Sequence, residues 1–150
     1  MRRALLVAVV CLPLLGQVAL WKSYFDSGIA RRLEGNYAQA RQLLFQAVQQ
    51  AEKLPPGDPR LTVSLFELGK LYRILGKYEE AESLLNRALE LRRAQLGKSH
   101  PDIVVVLKVL GEVAMLRGQY ATAENHYLAC LDMEMSAAQP SQLGLAASYR

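Results

Sequence analysis

Cysteine and histidine are scarce in this 150-residue chain, with two of each, Cys11, Cys130, His100 and His126, in four separate stretches. A metal site needs three or four convergent ligands and a disulfide framework needs paired cysteines, so neither is expected. Charge of one sign is lacking as well. Lys and Arg number 18 and Asp and Glu 14, and Arg2 and Arg3 supply half of the net +4, which leaves no basic patch to suggest nucleic acid as a partner. Alternating β-branched runs are few, which argues against strands. No nucleophile has a base in sight. Gly97-Lys98-Ser99 resembles the end of a phosphate-binding loop, but Arg92 occupies the place of its upstream glycine and a helical stretch the place of its strand. Glu79, Glu80 and Glu82 suit a solvated helix face. The expectation is a chain without catalysis, cofactor, metal or small-molecule substrate.

What the chain does have is helical periodicity. Leu65, Leu68, Leu71, Tyr72 and Leu75 recur at three- and four-residue steps, as do Tyr78, Ala81, Leu84, Leu85, Ala88 and Leu89, with Gly76 between the two stripes. This predicts a helical hairpin in which small residues (Gly69, Ala81, Ala88) admit the partner helix and large ones (Tyr72, Tyr78, Leu85) fill the space between. The hairpin recurs. Gly35-Asn36-Tyr37, Gly76-Lys77-Tyr78 and Gly118-Gln119-Tyr120 lie 41 and 42 residues apart. At the same phase stand Gly28, Gly69 and Gly111; Ala40, Ala81 and Ala123; Leu44, Leu85 and Tyr127; and Ala47, Ala88 and Cys130.

These columns closely resemble the tetratricopeptide repeat, a helix-turn-helix unit found in arrays. The long period, Gly76-Lys77-Tyr78-Glu79-Glu80-Ala81-Glu82 and Gly97-Lys98-Ser99-His100-Pro101-Asp102 are similar to the repeats of kinesin light chains and their bacterial look-alikes, over roughly Trp21 to Met135. The resemblance implies an all-α solenoid of about three units, near residues 22–57, 58–99 and 100–138, preceded by a hydrophobic N-terminal helix. The first unit has helix A near Trp21 to Leu33 and helix B near Tyr37 to Lys53. Its helix A is modified, since Ser27 and Arg31 stand where the second unit has Leu68 and Tyr72. Asp58 is placed to cap the next helix, with Pro59 and Pro101 at first helical positions and Asp102 in a first turn.

Residues 1–21 differ from everything that follows: two arginines, then no charge from Ala4 to Trp21. This predicts a signal peptide or membrane anchor, the repeats being exported or tethered on the far side, in the periplasm or at the extracytoplasmic face if the source is bacterial. The alternative is a buried first helix of the array, with Pro13 and Gly16 more at home in a membrane or signal helix. At the other end, Pro140 is followed by Ala146 and Tyr149 at the offsets that Leu65 and Leu68 hold from Pro59, so 139–150 is expected to be a partial fourth unit or capping helix.

The resemblance also implies function. In this family the A helices line a concave groove that takes peptides or helices. Its expected residues are Lys22, Phe25, Ile29 and Arg32 in the first unit, Val63, Phe66, Lys70 and Arg73 in the second, and Val105, Lys108, Glu112 and Met115 in the third. Apolar contacts alternate with cations, which suits a partner protein offering an acidic and apolar peptide or helix. Kinesin light chain repeats usually carry paired asparagines on this helix. Phe66-Glu67 and Lys108-Val109 stand there instead, so cargo binding of that kind is not implied. The alternative function is a structural subunit of a membrane assembly that docks through its two ends.

Overall fold

The structure is a computed structural model that describes residues 2–138, with side chains from 14 to 136. The expected cap at 139–150 lies outside the described residues, as do the side chains of 1–13 on which most of the anchor expectation rests. Among the described residues the chain forms six α-helices and no strand: α1 (Arg2–Leu33), α2 (Tyr37–Ala51), α3 (Pro59–Ile74), α4 (Tyr78–Leu96), α5 (Pro101–Leu116) and α6 (Tyr120–Ala138). They fall into two compact units, Met1–Leu91 and Arg92–Arg150, divided within α4.

In the first unit, hairpin closure rests on glycine against leucine. A Cβ placed on Gly69 would stand 2.8 Å from Cγ of Leu85 and 3.5 Å from the carbonyl oxygen of Ala81, so α3 and α4 touch almost backbone to backbone there. Gly28 meets Leu44 Cγ in the α1–α2 hairpin at the same 2.8 Å. Ala40, Ala47, Ala81, Ala88, Leu44 and Leu85 are all fully buried. Each leucine enclosed in this way is worth about 1.5–3 kcal/mol relative to exposure. In the second unit the ring of Tyr127 takes the leucine's place over Gly111, 2.8 Å from where a Cβ would be, and Ala123 and Cys130 are buried beside it.

The hairpin turns follow from one residue. Gly76 has φ +72°, a left-handed conformation that costs a side chain roughly 1–2 kcal/mol. It lets Lys77 N–H donate to Tyr72 O (2.9 Å) and Gly76 N–H to Arg73 O (3.2 Å), which satisfies the last carbonyls of α3. Helix starts are capped by side chains. Asp58 Oδ1 accepts from Arg60 N–H at 2.9 Å while its Oδ2 binds the Arg60 guanidinium at 2.8 Å. At α5 the cap is His100, whose Nδ1 accepts from Asp102 N–H at 3.2 Å, a role that its position in a connector did not suggest.

Helix A of the first unit differs from its expected span. It is the carboxyl-terminal part of one helix that runs from Arg2 to Leu33 without a break at Trp21. No glycine, proline or capping residue stands between Leu20 and Lys22 to stop it. The end of the apolar run is tied to the repeats: Gln17 Nε2 donates to Gln50 Oε1 at 3.0 Å, and Trp21 Nε1 to Ser64 Oγ at 2.8 Å. Among the described residues no helix is long and apolar enough to cross a membrane.

Two substitutions probe this packing. Ala81→Leu overfills the closest approach of α3 and α4 and is expected to cost roughly 1–3 kcal/mol, read as a lower melting temperature; an unchanged melt contradicts the register. His100→Ala removes the α5 cap at a cost of about 0.5–2 kcal/mol, whereas His100→Asn keeps an acceptor and stays near the parent in urea titration.

Candidate functional site

The expected binding positions recur at three- and four-residue spacing, so on each A helix they share one face. In the first unit two such faces, on α1 and α3, are held together by a polar and aromatic cluster. Trp21 stacks on Phe25 with centroids 5.1 Å apart and planes at 22°. The Arg60 guanidinium lies 5.5 Å from the centre of the indole, and Ser64, which accepts from that indole, donates in turn to Arg60 O at 2.8 Å.

Glu67 joins the cations of the two faces. Its carboxylate lies 3.6 Å from Arg32 Nη2 and accepts from Lys70 Nζ at 3.0 and 3.2 Å. Lys70 also sits 5.1 Å from the centre of the Phe66 ring. These groups are half-buried: the side chains of Glu67, Arg32 and Lys70 are 16%, 19% and 27% exposed. Nε of Arg32 is buried without a hydrogen-bond partner, so its guanidinium has more bonding capacity than Glu67 uses. Phe25, Ile29, Val63 and Arg73 are half-buried, and Phe66 is buried. Lys22 stands apart, exposed and paired with Asp26 at 2.7 Å.

On α5, in the second unit, Val105 and Met115 are about half exposed, and Lys108 and Glu112 are exposed. Lys108 bonds Glu134 of α6 at 2.7 Å, and that hydrogen bond and charge raise its pKa above the ordinary lysine value. Val105 and Lys108 line a hollow of about 220 Å³ with Val104 and Pro101 of α5 and Met133 and Glu134 of α6. Burial raises the pKa of the Cys130 thiol, whose Sγ lies 3.7 Å from Val104 O, so it behaves as a small apolar filler. Burial also raises the pKa of Tyr127, with the charge of Glu112 adding to the effect.

The first unit holds a feature that the sequence reading passed over. Gln39, Gln42, Gln46 and Gln49 form a row on α2 and, with Ser27 and Arg31 of α1, line a hollow of about 700 Å³. The three-four-three spacing of the glutamines was the available signal. Among the described residues no three of His, Cys, Asp and Glu gather to hold a metal ion. What these faces carry is charge, aromatic surface and amide groups.

Known proteins share the pattern. A family model described as tetratricopeptide repeat matches residues 22–94 and, in a second register, 60–134. Nephrocystin-3 of Xenopus laevis is 35% identical over 86 residues, which covers 55% of this chain and 7% of that protein. A nucleotide-binding leucine-rich repeat (NLR)-like protein of Hyaloscypha variabilis is 48% identical over 40 residues, 27% of this chain and 4% of that one. The chain thus spans less than a tenth of the length of these curated relatives. Among solved structures, the nearly identical TPR-like repeats of a putative kinesin light chain from Podosopora anserina superpose with a TM-score of 0.67 at 24% identity, covering 82% of this chain and 60% of that one. The N-terminal domain of stress-induced protein-1 from C. elegans gives 0.64 at 14% identity, with 78% and 86% covered. At such identities the likeness is one of fold.

Proposed function

Since this chain belongs to the tetratricopeptide repeat family, we propose that it is a non-enzymatic scaffold taking an acidic, partly apolar segment of another protein on its A-helix faces. The family's repeats indicate protein–protein interaction, and its members are typically without catalysis. The observation that carries the finer reading is the cation and aromatic centre of the first unit. There Arg32 and Lys70 share one carboxylate, Glu67, and Lys70 lies over the ring of Phe66. Two cations on one anion leave a local positive excess, and an incoming carboxylate would meet charge-assisted donors that are half removed from water. The face of α5 offers Val105, Lys108 and Met115 in the same alternation within the second unit.

Charge changes test this reading. Reversing Lys70 and Arg73 to Glu is expected to weaken binding of a fluorescent acidic-apolar peptide tenfold or more at low salt. Glu67→Gln, which releases Arg32 and Lys70, is expected to strengthen it. Both effects shrink as salt rises. Equal binding by all three chains, each with an unchanged circular dichroism spectrum, removes this face from the mechanism and favours docking through the ends of the chain.

The reading includes attachment of residues 1–21 to a membrane, on the strength of their uncharged run and the two flanking arginines. Gln17 and Trp21 bond Gln50 and Ser64, so the apolar run ends against the first unit. In this reading the run is a signal peptide or anchor and the repeats are exported or tethered on the far side of the membrane. Vesicles of neutral and anionic phospholipid are expected to sediment the full chain and to retain it in alkaline carbonate. A chain left in the supernatant with both kinds of vesicle ends the membrane reading.

A further inference from the structure

We propose that the first unit pairs with the first unit of a second copy of this chain, α2 against α2, about a two-fold axis at the level of Leu44. The outward face of α2 carries Gln39, Gln42, Gln46 and Gln49, all exposed, with half-buried Leu43 on one flank and Phe45, 50% exposed, on the other. These six line the hollow of about 700 Å³ that Ser27 and Arg31 border from α1. The repeat does not account for the row. At the same column places the second hairpin has Glu80, Ser83, Arg87 and Glu90, and the third has Thr122, Asn125, Ala129 and Asp132. Three of the four are charged on α4, as suits a solvated helix face, whereas none is charged on α2. The one charged residue of α2 is Arg41, which lies about 100° around the helix from Gln42 and off the row.

The face reads the same in both directions. About Leu44, Gln39 mirrors Gln49, Gln42 mirrors Gln46, and Leu43 mirrors Phe45. Two copies of α2 packed antiparallel with the axis at that level bring Gln42 of one to the height of Gln46 of the other, and Gln39 to that of Gln49. An amide both donates and accepts, so each pair closes its own hydrogen bonds, which a cation or an acid facing its own kind cannot do. The axis runs across the helices and keeps each flank on its own side, so Leu43 meets Leu43 and Phe45 meets Phe45, each about 3 Å apart along the helix at 1.5 Å per residue. Antiparallel order also sets the positive end of each helix dipole beside the negative end of the other. Arg31, at the border of the hollow, is already paired with Glu34 at 2.7 Å, so closing the contact strands no charge. The contact is one helix of 15 residues long, roughly 22 Å. That is small for a specific interface, and pairing is therefore reversible. Phe25, Ile29 and Arg32 point to the opposite side of α1 from Ser27 and Arg31, which leaves the A-helix faces open in the pair.

Sedimentation equilibrium of the full chain in density-matched detergent tests the pairing. The mass of the parent is expected to climb from one chain toward two between roughly 1 μM and 1 mM. Gln42→Glu with Gln46→Glu gathers four carboxylates in the pair and is expected to lower the association constant at least tenfold, as is Gln42→Lys with Gln46→Lys. Both double variants are expected to keep the parent's circular dichroism spectrum, since the two positions are exposed. Mixing them one to one sets a carboxylate beside an ammonium at each place and is expected to restore the dimer. A parent that stays monomeric over the whole range overturns the proposal. Association that both variants retain also overturns it, by assigning the contact to another part of the chain, and so does a mixture no more dimeric than its components.

Discussion

Everything in this fold depends on how closely two helices approach where a glycine faces a leucine. Gly28 on Leu44 and Gly69 on Leu85 leave no room for even a methyl group. That contact fixes which side of each helix is inside, and hence which residues are left for binding. The alanines around it are consequences: once the backbones are this close, Ala40, Ala47, Ala81 and Ala88 are the largest side chains that fit without pushing the helices apart. A larger unit could absorb one error in such packing. Here each hairpin is two helices thick, so a misfit is transmitted to the next helix.

The columns were legible in the sequence because the constraint is steric and repeats. A place that accepts only glycine or alanine three times over at intervals of 41 and 42 residues leaves a trace that periodicity reveals. The all-helical class, the three hairpins and the turns at Gly35, Gly76 and Gly118 follow from it, and all three turn glycines have positive φ. The start of the first A helix was less legible. Composition changes sharply at Trp21, but a helix ends where its hydrogen bonds end, and nothing in that stretch interrupts them.

The site was legible only in outline. Spacing identifies the residues on one face of α1 or α3, but it does not reveal that Arg32 and Lys70 converge on Glu67, because that contact joins helices 35 residues apart in sequence. Nor does it show that Phe66 is turned inward, since a phenylalanine fits both a core and a binding face. The α2 glutamines escaped notice for the opposite reason: as uncharged polar residues on a helix they resemble an ordinary solvated surface until Ser27 and Arg31 are seen across from them.

Trp21 has one more consequence. It is the chain's single tryptophan, and it sits at the junction of α1 and α3, stacked on Phe25, beneath Arg60 and bonded to Ser64. Light absorbed at its red edge therefore reports on one place only, the seam between the first two hairpins. The second unit, whose described aromatic side chains are Tyr120 and Tyr127, is dark at that wavelength. The molecule thus carries a built-in optical label for half of itself. Emission and far-ultraviolet ellipticity followed through the same denaturation will coincide when the two units come apart together and will separate when they do not.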